Sequence, residues 1–202
     1  MAYHAAAREE AADAISLGTA AVELARRCPA IVQALVASRL AHGYALTGDA
    51  ERFHATYGRA RELVEHPTGH RPRWAYFVVP EQLDAASGRY QVSLARACSR
   101  RRRHLGNAIT LLTPLATAAP DQPYQRAALL DGIWLSRAHL GRDELDQACA
   151  VGRAVLARLP QVTSPRCLTD LRRLADELRV RKANPYVREF STELDHRLRL
   201  IT

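Results

Sequence analysis

Aromatic side chains are scarce in this 202-residue chain, at 6 % of the total, and lysine is nearly absent: Lys182 is the one lysine among 29 basic residues. Ala, Leu and Val carry most of the 48 % apolar content, a mixture that suits close helix–helix packing and argues against a β-sandwich. No run of about 18 uncharged apolar residues occurs, which excludes a membrane-spanning helix. The basic and apolar regions of a signal peptide are also missing, because Arg8, Glu9 and Glu10 interrupt the start. That pattern predicts a cytoplasmic location. The four cysteines (Cys28, Cys98, Cys149, Cys167) lie far apart and form no C-x-x-C pair, which argues for small buried thiols and against a disulfide framework or zinc site.

Chemistry-bearing constellations are equally sparse. There is no Gly-rich phosphate loop and no nucleophile accompanied by a base. His66 and His70 flank Pro67-Thr68-Gly69, and Glu62 falls on the helix face of His66, yet no Cys or further His completes a metal site. His139 and Asp143 resemble half of an acid–base pair without a nucleophile, so His139 is read as filling a wedge between helices. The reading is non-enzymatic, with no cofactor and no metal.

Charge is present in excess. The formal balance is +8, and it is uneven: residues 1–65 carry 7 basic and 8 acidic side chains, residues 66–140 carry 10 and 4, and residues 141–202 carry 12 and 9. The middle zone attracts anionic partners at long range. Arginine in place of lysine and abundant alanine also fit a GC-rich coding sequence, so the arginines are not each signs of function.

Helical periodicity runs nearly end to end. Residues 9–27 offer one apolar face, with Gly18 inside it. Pro29 introduces a helix over 30–46, which stops at Thr47-Gly48-Asp49, where Gly ends one helix and Asp caps the next. Its partner covers 50–65. Pro67-Thr68-Gly69 is a loop, Pro72 opens the Trp74/Tyr76/Phe77 segment, and Pro80 starts a helix through Leu83, Ala86, Tyr90 and Leu94. Residues 105–117 repeat the pattern, with Pro114 ending or kinking it. Pro120 to Pro123 is a turn, and 124–140 and 143–159 pair across Gly141. Ser164-Pro165 and Asn184-Pro185 are two further helix starts. No strand-period segment of useful length is present, and the expected fold class is all-α.

Self-similarity gives the organisation. Leu40-Ala41, Tyr44, Gly48-Asp49, Tyr57 and Ala60 stand at the spacings of a tetratricopeptide repeat, which residues 34–66 resemble; Phe53 departs from the small residue that family prefers. Residues 130–160 form a second copy through Leu135-Ser136, His139, Ala148 and Pro160, with His139 and Gly152 in place of aromatics. A third copy over 80–117, with Gly88 as its close-approach residue, is stretched by an insertion at about residues 95–102. The resemblance implies a tetratricopeptide-like α-solenoid of antiparallel helix pairs, about eight or nine helices in one helical-repeat domain. It divides into a partial first repeat (1–28), a repeat (29–66), the stretched repeat (72–118), a further repeat (121–160) and C-terminal capping helices (163–202).

A wider resemblance rests on Trp74-Ala75-Tyr76 before Pro80-Glu81-x-Leu83, on Ala148-Cys149, on Val162-Thr163-Ser164-Pro165-Arg166, and on Asn184-Pro185-x-Val187-Arg188-Glu189-Phe190. These look like the C-terminal repeat domain of actinobacterial helix-turn-helix (Xre-type) transcriptional regulators. That resemblance implies a sensing or interaction role in transcriptional control. Residues 1–30 are expected to hold no pair of short helices with a sharp turn, so direct DNA readout does not carry over.

In such an array the first helix of each pair lines the inner face. Registering the copies puts His42, Arg89 and Arg137 at equivalent positions, with Ser38, Arg39 and Gln82 beside them. The expected ligand of this cationic groove is an acidic peptide or protein segment, or a C-terminal carboxylate. The run Arg100, Arg101, Arg102 and Arg103, followed by His104, supplies the alternative: a nucleic-acid-associated protein using the basic zone at 96–104. No aromatic is interleaved for base stacking, which favours a solvated corner. Trp74, Tyr76 and Phe77 are expected in the core. The C-terminal helix should cap one end of the array, while an apolar N-terminal face predicts self-association. The sequence names neither the partner nor the process it would control.

Overall fold

A computed structural model describes residues 1–119, 124–161 and 164–200. Among them lie ten α-helices and no strand: α1 (Ala2–Ala7), α2 (Ala11–Leu24), α3 (Ala30–Thr47), α4 (Ala50–Glu65), α5 (Pro80–Ala97), α6 (Arg101–Ala116), α7 (Gln125–Gly141), α8 (Leu145–Arg158), α9 (Pro165–Arg179) and α10 (Pro185–Leu200). The expected turn at Pro120 to Pro123 lies outside the described residues. The chain divides into two compact units, Met1–His104 and Leu105–Thr202. Among the described residues no helix is long and apolar enough to cross a membrane.

In the first unit each helix packs on the next, α1 on α2, α2 on α3, α3 on α4 and α4 on α5. The alternate helices α1, α3 and α5 also touch in sequence. Gly48 ends α3 in the left-handed conformation (φ 78°), and a Cβ there would press on the Ala97 carbonyl. The Asp49 carboxylate then accepts a hydrogen bond from the Arg52 backbone N–H and caps α4. Phe53 is fully buried, and it fits because small residues surround it: Ala41 and Ala45 from α3 and Ala86 from α5, with Tyr90 and Leu94 closing the cluster. The bulk of Phe53 is thus absorbed by alanines opposite.

The N-terminal segment differs from expectation. Residues 1–30 do contain two short helices, α1 and α2, joined by three residues with Glu9 at a positive φ of 64°. The tight link forms because Ala5 and Ala6 of α1 fold back to bury against Ala14 of α2 and Leu46 of α3. The aromatic segment differs too. Trp74 and Tyr76 are 53 % and 61 % exposed, and only Phe77 packs against the core. Here the chain forms a single 3₁₀ turn (Arg73–Ala75). Its side chains alternate outward, while Ala75 and Val78 face in. The Arg71 guanidinium donates to the Val78 carbonyl at 3.2 Å and holds the turn.

The second unit pairs α7 with α8 and α9 with α10, and α7 also meets α9 as α8 meets α10. Ser164 accepts from the Cys167 N–H at the head of α9, and Asn184 accepts from the Tyr186 and Val187 N–H groups at the head of α10. Both are followed by a proline at the first helical position. Gly152 lies under the Phe190 ring, where any Cβ would collide with it. Phe190 of α10 thus fills the space beside Gly152 on α8. Cys149 and Cys167 are buried, whereas Cys28 and Cys98 are only half-buried.

Candidate binding site

The helix periodicity of α3 and α5 determines which side chains meet. Leu35, Ser38, Arg39 and His42 recur at three- and four-residue steps on α3, and Gln82, Ala86, Arg89 and Tyr90 do so on α5. The two helices pack side by side. Between them opens a cavity of about 80 Å³. Leu35, Ser38 and Arg39 line it from α3, and Gln82, Leu83, Ala86 and Arg89 line it from α5. Phe77 and Val78, from the link before α5, complete the wall.

Behind this wall sits a buried polar cluster. The Arg39 Nη1 donates to the Tyr90 hydroxyl at 3.0 Å, and the face of the Arg39 guanidinium rests 4.5 Å from the ring centroid of Tyr3 in α1. An aromatic face and a phenol thus hold Arg39 in place, with attractions of modest strength that leave its charge intact. Burial pushes the Tyr90 phenol up, but the Arg39 and Arg89 guanidiniums and the hydrogen bonds from Ser38 and Arg39 more than offset it, so the phenol ends below its usual value. His42 stacks on Tyr90, with ring centroids 4.2 Å apart. Burial, reinforced by Arg39 and Arg89, pushes His42 down to about 3. It is a neutral structural ring at ordinary pH.

The residues singled out from sequence therefore fall in different places. Ser38, Arg39, Gln82 and Arg89 come together on one cavity, and His42 lies behind it. Arg137 belongs to the second unit. There its side chain is buried, forms a bidentate pair with Glu177 (Nη2 to Oε1 2.8 Å, Nε to Oε2 3.1 Å), and lies 4.1 Å over the Trp134 ring. Its charge is already matched inside that unit. Tyr90 and Tyr3 were not legible as site residues: Tyr90 reads as an ordinary apolar position of α5, and nothing in sequence places α1 against Arg39.

Arg101, Arg102 and Arg103 form the first turn of α6, with Arg100 just before it. All four are exposed, and no acidic residue shares that turn. Cations at the positive end of a helix are electrostatically adverse. Nearby, His104 is buried with its Nδ1 3.3 Å from Gln91 Oε1, and its ring stacks 5.9 Å from that of His54. Burial, followed by the neighbouring positive groups, lowers both histidines.

The carboxylate that pairs with His139 is Glu144, not Asp143. His139 Nδ1 meets Glu144 Oε2 at 2.7 Å, while Asp143, at a positive φ of 68°, pairs with Arg181. The turn after α7 swings Asp143 outward and brings Glu144 back over the helix end. The hydrogen bond from Arg142, then that from His139, holds the Glu144 carboxyl below its usual range. Among the described residues no group of three or more His, Cys, Asp or Glu side chains is arranged to hold a metal. Comparison with protein-family models, with curated proteins and with solved structures returned no match.

Proposed function

We propose that this chain is a non-enzymatic binding module, a tetratricopeptide-like array of helix pairs that takes an acidic peptide or protein segment on the face shared by α3 and α5. The observation that carries the reading is the meeting of Arg39, Arg89, Ser38 and Gln82 on one cavity. These groups converge from two helices, which is how a helical-repeat surface builds a specific site from a regular fold. Charge-assisted hydrogen bonds from guanidinium to carboxylate are the strongest polar contacts such a surface can offer. The pairing of neighbouring and alternate helices supports the repeat reading. So do the Gly48 stop and the alanine-lined contact at Ala41. By its resemblance to repeat domains of helix-turn-helix regulators, we place the module in cytoplasmic transcriptional control, as a sensor or interaction domain.

A panel of amidated, Asp/Glu-rich peptides tests this reading by fluorescence anisotropy. Binding that weakens in Arg39→Ala and in Arg89→Ala, and persists in Arg137→Ala, supports it. Binding indifferent to Arg39 and Arg89 overturns it. The exposed arginines at the head of α6 favour a second reading, a phosphate-backbone contact. It predicts nucleic-acid retention that falls steeply with salt and is lost when Arg100 to Arg103 become alanine.

A further inference from the structure

The lining of the α3–α5 cavity defines its ligand more narrowly than positive charge alone. The cavity is about 80 Å³, well under the roughly 300 Å³ at which pockets begin to enclose a whole drug-sized molecule. It admits a group of a few heavy atoms. Its lining is divided in chemistry: Ser38, Arg39, Gln82 and Arg89 are polar, while Leu35, Phe77, Val78 and Leu83 are hydrocarbon. The apolar portion is continuous with a packed core cluster, since Val78 and Leu83 belong to it and Leu35 and Phe77 pack against it. The site therefore has a fixed apolar wall.

A phosphate or sulfate presents oxygen in every direction, so seating one here would leave oxygens against Leu35 and Phe77 without hydrogen-bond partners, which is costly. A nucleotide is too large. A carboxylate on a short aliphatic stem carries its charge on one side and hydrocarbon on the other, and so matches both parts of the lining. Arg39 is suited to the charged side. It lines the cavity, and the Tyr90 hydroxyl and the Tyr3 ring that hold it are both neutral groups. Gln82 adds a neutral hydrogen-bond donor next to it.

We infer that this cavity is a binding site for a monocarboxylate with a short apolar stem, supplied either as a free small acid or as the last residue of a peptide with an apolar C-terminus. The inference rests on the proposed binding face and specifies what enters it.

The test is an NMR titration of the intact chain with propionate, propionamide and inorganic phosphate. Two further ligands are peptides ending in Val-Ala, one with a free carboxylate and one amidated. Propionate, the free-ended peptide or both should shift the amides around residues 35–42 and 77–89 in a saturable way, with propionamide and the amidated peptide silent and phosphate unable to compete. Arg39→Gln should weaken binding by about tenfold or more. Should that variant fold poorly, Gln82→Leu, which leaves the Arg39–Tyr90 link untouched, should still weaken it measurably. Propionate alone binding identifies a small-acid site, and a free-ended peptide binding more tightly than propionate identifies a chain terminus.

A saturable response to propionamide equal to that of propionate, displacement by phosphate, or no response to either carboxylate overturns the inference. The two readings fail separately. If amidated acidic peptides bind through Arg39 while free carboxylates do not, the face stands and this inference falls. If propionate binds through Arg39 and no peptide of any kind does, the carboxylate site stands and the peptide-binding function falls.

Discussion

Arg39 and Tyr90, 51 positions apart, are joined by a hydrogen bond from the Arg39 Nη1 to the Tyr90 hydroxyl at 3.0 Å. With the Ser38 hydrogen bond and the His42 ring stacked on Tyr90, this link ties α3 to α5 at the point where their polar side chains converge. It also aims a cation at the cavity between them. Tyr90→Phe removes the acceptor and keeps the ring that stacks on His42, so it should cost about 0.5–1.5 kcal/mol in a urea titration. Far-UV circular dichroism should be unchanged. A loss well above that range would mean the hydroxyl supports more than its Arg39 and Ser38 hydrogen bonds.

His42 gives a pH dependence of definite sign. Its folded value of about 3 lies below the ordinary histidine value of 6.5, so the unfolded chain takes up a proton that the folded chain refuses. Stability from this residue is fully present above about pH 6.5 and declines as pH falls toward 3, by about 1.4 kcal/mol per pH unit. His54 and His104 shift in the same direction. His42→Phe, which retains a ring against Tyr90, should flatten the stability profile between pH 5 and 6.5. An unaltered slope would place the proton-sensitive group elsewhere.

The buried Arg137–Glu177 pair predicts an asymmetry. Glu177→Ala leaves a guanidinium enclosed without its main countercharge and should cost about 3–5 kcal/mol. Arg137→Met removes the charge itself and keeps an unbranched chain over Trp134, so it should cost clearly less. Equal costs in chemical denaturation would show that Arg137 does not depend on Glu177.

Gly152 and Phe190 should behave as one packing unit. Gly152→Ala forces a methyl into the Phe190 ring and should destabilise the protein by about 1–3 kcal/mol. Phe190→Ala should cost about 3–5 kcal/mol through the cavity it leaves. The double variant should lose less than the sum, because the new methyl then occupies space the ring has vacated. Strict additivity of melting data would contradict the contact.

Helix caps supply a milder prediction. Asp49→Ala and Asn184→Ala each remove a side-chain acceptor from a helix head. Each should lower stability by about 0.5–2 kcal/mol. Asp49 is half-buried beside the tight Gly48 turn, so an Ala there also tests whether the turn survives without its cap.

Much of the secondary structure was legible in the sequence because its signals are local. Gly48 needs only its own left-handed conformation to stop α3, and Asp49, Ser164 and Asn184 need only the next few residues to cap a helix. The prolines at 80, 165 and 185 sit where a missing N–H does no harm. Residues 95–102, expected as an insertion, hold the end of α5 at Ala97, the link and the start of α6. Periodicity likewise put Ser38, Arg39, Gln82 and Arg89 on helix faces that meet.

What the sequence alone determined, then, is the helices, their ends, and the faces they present, because hydrogen bonding and capping act over a few residues. The tertiary structure decided which side chains became partners. Phe190 reaching Gly152, Glu177 enclosing Arg137, Tyr3 lying over Arg39 and Tyr90 bonding it are all contacts between helices distant in the chain. The outward turn of Trp74 and Tyr76 likewise depends on how Ala75 and Val78 bury. Such contacts depend on packing distances that no local pattern encodes. They turn a cationic face read from spacing into a small cavity with an apolar wall.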